Sequence, residues 1–547
     1  MTPDRDVQLP QLHQLARLYG VQLAYTDTLT GRPKRASPDA LLAVLRALGA
    51  PVEGFQDVPA ALRERRQALW QRVVEPVVAA WDGSPGTVPL RLPASWAEAR
   101  ASCFLQLESG EARNWTVELK PLRARERVEV EGARYVVKSL TLPSSLPWGY
   151  HQLRVEIHGQ SLETLLIGAP LHAYALPDEG ARRWGVFLPL YALHSRRSPA
   201  GGDFSDLNAL RQWAEGLGAS TAGCLPLLAA FLDEPFAPSP YRPASCLFWN
   251  EFYLDVARIP ELERSPAAQA RLRSAEHRKE LEALGAQPLV DYRRTLAWKR
   301  QVLEELARSF FAEPSPRQAP FERFRDAHPE LEDYARFRAA VERQRIPWTA
   351  WPQPQRDGVL QGGDYDEEAR RYHVYVQWQA QEQLQAVSEE ARQNSPGLYL
   401  DLPLGVHPEG YDVWRYRSVF ALDASGGAPP DDFFVKGQNW GFPPLHPEKV
   451  REQAHRYTIA CLRHHCRKAG ILRIDHVMSL HRLFWIPRGG EVSDGAYVRR
   501  PAEELYAILT LESHRNKTLI VGEDLGTVPR AVRQAMARHR IFRSYVL

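Results

Sequence analysis

The chain has 547 residues, 44% apolar and 25% charged, and its 69 Lys and Arg against 66 Asp and Glu leave a net charge of +3. That length suits several domains or one large barrel with attachments, and interspersed signs leave no basic footprint for nucleic acid. No window approaches the roughly 18 uninterrupted apolar residues of a membrane span, and the start MTPDRDVQLPQ lacks the apolar core of a secretion signal.

The five cysteines, Cys103, Cys224, Cys246, Cys461 and Cys466, are odd in number and show no repeated spacing, which points to a reducing compartment, the cytoplasm. Cys461, His464, His465 and Cys466 invite a metal reading. They fall in TIACLRHHCRKAG, however, where helical spacing scatters them around the axis, so no metal is expected.

In chain order, residues 1–74 read as a helical domain. QLHQLARLYG ends at Gly20, GVQLAYTDTLTGRP is an extended link, and Ser37-Pro38 caps and opens a second helix. From 75 to 175 the texture changes to short alternating strands, VVAAW, PLRLP, FLQLES, WTVEL, RYVVKSLTL, HQLRVEI and ETLLIG. Strands at that spacing with Gly, Pro and Ser between them predict an immunoglobulin-like β-sandwich. The basic cluster Arg123–Arg127 reads as a solvated loop or strand edge.

An α/β region occupies 176–547. WGVFLPLYAL and AGCLPLLAAF read as its first two strands, with GGDFSDLNALRQWAEGLGA as the helix between them. Residues 257–396 form a charged helical insertion, in which Asp291 opens a helix and Lys299 reads equally well as part of a solvated face. GLYLDLPLG is the third strand and carries Asp401. The segment Gly427–Pro447, GAPPDDFFVKGQNWGFPPLHP, is too long and irregular for a simple turn.

Two short apolar runs then end in charge. Ile471-Leu472 leads into Arg473, Asp475 and His476, and Leu519-Ile520-Val521 leads into Glu523 and Asp524, with a helix-spaced stretch at Pro501–Arg515 between them. Apolar runs capped by carboxylates are the pattern of buried parallel strands whose C-terminal ends carry chemistry. Two carboxylates so placed suit a glycosidic bond, and in a retaining mechanism they stand roughly 5–5.5 Å apart. Arg473, two residues before Asp475, shares its face and favours the ionised carboxylate. A strand-end Asp and Glu that only cap helices is the plain alternative.

R-I-D-H at 473–476, E-D-L-G at 523–526 and G-A-P-P-D…G-Q-N-W-G within 427–441 resemble the catalytic segments of the amylomaltases, the 4-α-glucanotransferases of glycoside hydrolase family 77. The resemblance implies a multidomain enzyme: an α/β (TIM) barrel with a helical insertion, incomplete at its C-terminal end, preceded by a helical domain and a β-sandwich. It implies Asp475 as nucleophile and Glu523 as acid/base, with no cofactor and no metal. Tyr241 in Ser239-Pro240-Tyr241, Asp401, Gln438, Trp440, Arg473 and His476 are implied to hold or frame the sugar, Asp401 by gripping hydroxyls or by supporting the nucleophile. The partners are α-1,4-glucans such as maltooligosaccharides.

The chain departs from the family at Pro199-Ala200-Gly201-Gly202-Asp203-Phe204, where W-G-x-G-D-F is usual, and at Pro226–Ala229, where many members have a His. The family also implies a third carboxylate, in a T-H-D segment after the seventh strand. RIFRSYVL at Arg540–Leu547 reads as a sixth strand, so the chain is expected to be part of a longer protein. Two alternatives stand beside the transferase, a non-catalytic glucan binder and an α-glucan hydrolase.

Overall fold

A computed structural model describes residues 3–27, 31–178, 180–394 and 396–546, so that Thr28, Leu29 and Thr30 of the extended link and the last residue of the expected sixth strand lie outside the described residues. The chain divides into two compact units, Met1–Tyr174 with Ser418–Leu462 and His476–Leu547, and Ala175–Arg417 with Arg463–Asp475.

The first unit begins with helices Pro3–Leu18, Pro38–Ala47 and Val58–Gln71. Ser37 caps the second, accepting from the Ala40 N–H at 3.1 Å, with Pro38 at the first helical position where its missing N–H costs nothing. A β-sandwich follows. Its larger sheet runs in the order Val77–Trp81, Gln160–Ala169, Gly149–Ile157, Arg100–Gln106, Ala112–Glu118, and its smaller one Thr87–Pro93, Ala133–Thr141, Ala124–Val130. Strict alternation makes the layer. Val88, Leu90 and Leu92 of one sheet meet Cys103, Leu105, Leu153 and Val155 of the other in one core, while the intervening residues stay outside. The basic cluster at 123–127 belongs to an edge strand, where charge discourages further pairing.

The same unit holds an antiparallel sheet in the order Gln438–Asn439, Ala424–Ala428, Arg482–Pro487, Ala496–Arg499. Helix Ala502–Asn516 is buried continuously from Glu504 to Ser513. Its buried acidic residues are matched. Glu512 accepts from the Tyr150 hydroxyl of the sandwich at 2.9 Å, and Glu504 lies 2.8 Å from both Arg451 and His455. Leu519–Gly522 then pairs in parallel with Phe542–Arg543.

The second unit is built on parallel strands Gly185–Phe187, Thr221–Gly223, Leu398–Leu402 and Ala469–Ile474, neighbours in that order. The first two are shorter than their apolar runs suggest, because Pro189 and Pro226 cannot donate to a ladder. The residues beyond Cys224 remain buried as irregular chain. Helix Phe204–Gly216 starts at Asp203, whose carboxylate accepts from the Ser205 and Asp206 N–H groups. The insertion is helical throughout its long elements, Tyr292–Ala312, Leu331–Gln344 and Glu367–Asn394. Asp291 caps the first of these through the Arg294 N–H at 3.0 Å. Lys299 does not lie on a solvated face. It is 5% exposed and its ammonium donates to the carbonyls of Phe252 at 2.6 Å and Leu254 at 3.0 Å. Among the described residues no helix is long and apolar enough to cross a membrane.

Candidate active site

Strand Ala469–Ile474 packs unusually close to the residues that lead into Leu398–Leu402. A Cβ at Gly470 would lie 1.7 Å from the Pro396 carbonyl oxygen, so only glycine fits. After a register shift at Leu398/Tyr399 the two strands bring Asp401 and Arg473 side by side. Arg473 and Asp475 are two residues apart and share a face. One guanidinium nitrogen, Arg473 Nη1, therefore reaches both oxygens of Asp401 at 2.7 and 2.9 Å and Oδ1 of Asp475 at 2.9 Å. The Tyr241 hydroxyl donates to Asp401 Oδ2 at 2.8 Å.

The two carboxylates differ in access. The Asp401 side chain is fully enclosed, whereas that of Asp475 is 23% exposed. Burial is the largest influence on both and raises both. For Asp401, burial outweighs the pull of Arg473 and the Tyr241 hydrogen bond, and its carboxyl is pushed up to about 6. For Asp475, Arg473 and a backbone hydrogen bond from Leu404 favour the charged form, yet burial leaves the group above its usual range. Arg473 thus supplies the expected attraction without winning outright.

Tyr241 sits in a loop, Ser239–Pro243, which is fixed at its C-terminal side. The Ala244 N–H donates to Ala229 at 2.7 Å, and the His407 N–H donates to the Pro243 carbonyl at 2.8 Å. Asp412, fully buried, accepts from Ser245 Oγ at 2.5 Å and the Cys246 N–H at 2.7 Å. Asp412 and His407 are residues whose part in the site sequence reasoning missed. The pairings join segments some 160 residues apart, and no local spacing signals them.

The other expected residues gather in the first unit. Glu523 Oε2 accepts from the His476 N–H at 2.9 Å and Oε1 from the Leu525 N–H at 2.6 Å. His476 holds a left-handed backbone, φ 47°, a conformation that costs a β-carbon residue about 1–2 kcal/mol. Its imidazole is pushed down to about 4 by burial, with Arg482 adding to the effect, so it is neutral at neutral pH. The Trp440 ring meets the His476 ring edge-on at 5.1 Å, and Trp440 Nε1 donates to Gln438 Oε1 at 3.2 Å. Asp524, next to Glu523, faces different company: Arg543 at 2.7 Å and Arg533 at 3.5 Å. Of this consecutive carboxylate pair, Glu523 is bound by backbone N–H groups while Asp524 anchors the last described strand.

Comparison with known proteins bears directly on these segments. Residues 188–547 match the family profile described as 4-alpha-glucanotransferase, glycoside hydrolase family 77. The chain belongs to this family. Residues 73–170 match a second profile, the MalQ N-terminal beta sandwich domain. A 4-alpha-glucanotransferase of Mycobacterium bovis is 34% identical over 546 residues, covering 96% of this chain and 73% of the relative. One of Haemophilus influenzae is 34% identical over 434 residues, covering 75% of this chain and 61% of the relative. Among solved structures, the amylomaltase of Corynebacterium glutamicum is similar with a TM-score of 0.83 and 30% identity, covering 98% of this chain and 75% of that one. These matches favour neither the glucan binder nor the hydrolase.

Proposed function

We propose that this chain transfers α-1,4-glucan segments from a maltooligosaccharide donor to the 4-hydroxyl of an acceptor glucose or glucan by a retaining double displacement. The observation that carries the reading is one arginine bridging an enclosed carboxylate and a partly exposed one at the end of the R-I-D strand, in a chain of the 4-alpha-glucanotransferase family.

Asp475 is the more exposed of the two carboxylates and acts as nucleophile. Its oxygen bonds to the anomeric carbon while the bond from that carbon to the leaving 4-oxygen breaks and Glu523 protonates that oxygen. Glu523, now a carboxylate, takes the proton of the acceptor's 4-hydroxyl. The acceptor oxygen bonds to the anomeric carbon, and Asp475 departs as a carboxylate. Asp401 is enclosed, so among its two expected roles the supporting one fits: it holds Arg473, and Arg473 holds Asp475. Trp440 offers an aromatic face to a pyranose and Gln438 an amide to its hydroxyls. A positioned acceptor outcompetes water through its effective concentration.

Residues 1–74 and 75–175 act as accessory helical and sandwich domains, and 176–547 as the catalytic (β/α) barrel with its helical insertion at 257–396. The parallel strands of the second unit support the barrel reading. A cytoplasmic location is supported by the odd number and unpatterned spacing of the five cysteines.

Incubation of the folded chain with maltotriose tests the proposal. Glucose and a ladder of longer maltooligosaccharides are expected, and both vanish in Asp475→Asn. Unchanged maltotriose, or glucose and maltose without longer products, would overturn it.

A further inference from the structure

Beside the E-D-L-G segment, whose Gly526 forms part of its wall, the first unit contains a cleft of about 930 Å³ lined by Arg17, Arg482, Arg499 and Arg533 together with Gln22 and Tyr25. Among the described residues no carboxylate lines it. Two of its arginines are directly opposed. Arg482 and Arg499 are register partners on the antiparallel strands Arg482–Pro487 and Ala496–Arg499. Like charges in that relation destabilise a sheet unless an anion lies between them.

The surroundings of Arg482 do not supply that anion. Its guanidinium lies 3.9 Å over the Tyr497 ring, and Nη1 donates to Gln22 Oε1 at 2.7 Å, both neutral partners. Burial lowers its proton affinity, and Arg499 lowers it further against the pull of Tyr497. Arg533 touches Asp524 at 3.5 Å, but the closer partner of Asp524 is Arg543 at 2.7 Å, so Arg533 retains capacity for a second anion. Helix Arg530–Arg538 begins at the border of the cleft without a side-chain cap and adds its partial positive charge.

We propose that this cleft binds a phosphorylated monosaccharide. A phosphate monoester carries nearly two charges and three terminal oxygens, which several planar guanidinium forks can share, whereas a carboxylate serves one fork. The cleft is much larger than a phosphate group, so the ligand has a body. Tyr25 provides an aromatic face for a sugar ring and Gln22 an amide for its hydroxyls. The neutral glucans of the proposed reaction call for no such charge.

The test is calorimetric titration of the whole chain at constant ionic strength with glucose 6-phosphate, inorganic phosphate and glucose. Glucose 6-phosphate is expected to bind saturably, inorganic phosphate more weakly, and glucose not at this site. Arg17→Gln combined with Arg499→Gln changes two exposed side chains. It is expected to weaken glucose 6-phosphate binding at least about tenfold while leaving the melting temperature and maltotriose turnover unchanged. Equal binding by the variant, or a response that follows ionic strength alone, would overturn the proposal. Inorganic phosphate binding as tightly as the sugar phosphate would overturn the monosaccharide assignment.

Discussion

The end of strand Ala469–Ile474 and the loop Gly427–Pro447 are two regions assigned to the same substrate, and they are built in opposite ways. At the strand end, Asp401, Arg473, Asp475 and Tyr241 are joined to one another at 2.7 to 2.9 Å. In the loop, Phe433 is 90% exposed and Val435 67%, and Trp440 is steadied by Gln438 and the edge of His476. Groups that make and break bonds need fixed geometry, which paired strands provide. A surface that must accept sugar chains keeps its aromatic faces uncovered, which a loop permits. The difference predicts that strand-end variants damage turnover, and folding as well where the shared cation is lost, while loop variants damage binding.

The largest effect is expected at Asp475. Asp475→Asn keeps the shape and removes the nucleophile, so turnover should fall on the order of 10⁴-fold or more with little change in melting temperature. Residual transfer at a tenth of the native rate would move the nucleophile elsewhere. Next comes Arg473→Met, which leaves Asp401 and Asp475 buried without their shared cation. Removing one partner of such a buried set costs about 3–5 kcal/mol, visible in urea unfolding together with lost activity. Were the variant as stable as the parent, the strand end would not be the rigid half of the comparison.

Trp440→Ala tests the other half. The ring is half-buried and packs at 5.1 Å on His476, so the fold should lose little. An aromatic face lost from a sugar site is expected to reduce kcat/KM about 10–100-fold, corresponding to roughly 1–3 kcal/mol. A change in KM larger than that in kcat would place the contact in binding. An unchanged kcat/KM would assign Trp440 to loop packing alone.

Much of this was legible in the sequence because the signals are local. R-I-D spacing put Arg473 and Asp475 on one face, and alternation drew the sandwich, including Leu90 and Leu92. Ser37 declared its helix as a cap, and the helix opening at Asp291 was legible, though not the capping bond that Asp291 makes. What stayed hidden depends on distant pairing. Proline at 189 and 226 cut the first two parallel strands to three residues each, although the second run continues as buried irregular chain. Lys299 stayed open between a family position and a solvated face, because nothing nearby in sequence reveals the Phe252 and Leu254 carbonyls that receive it. Asp401 could have faced sugar or protein, and only the closure of Tyr241 and Arg473 over it distinguishes these.

The finest effect concerns that closure. Asp401 is pushed up to about 6 mainly by burial, and the Tyr241 hydroxyl favours its charged form. An acid whose folded value lies above its unfolded one binds more protons folded than unfolded. Its contribution to stability is therefore full below about 4 and declines as pH rises through about 6. Activity runs the other way, since only ionised Asp401 holds Arg473 firmly, so turnover should rise through about 6 as an acid limb. Tyr241→Phe removes one hydrogen bond to the charged form, commonly about 1.5–3 kcal/mol, so the limb should move upward by about one to two pH units. At pH 8 the variant should lose only a few-fold in kcat, because Asp401 still ionises there with or without the hydroxyl. A limb that stays in place while kcat falls at every pH would mean that Tyr241 acts on the sugar directly rather than through Asp401.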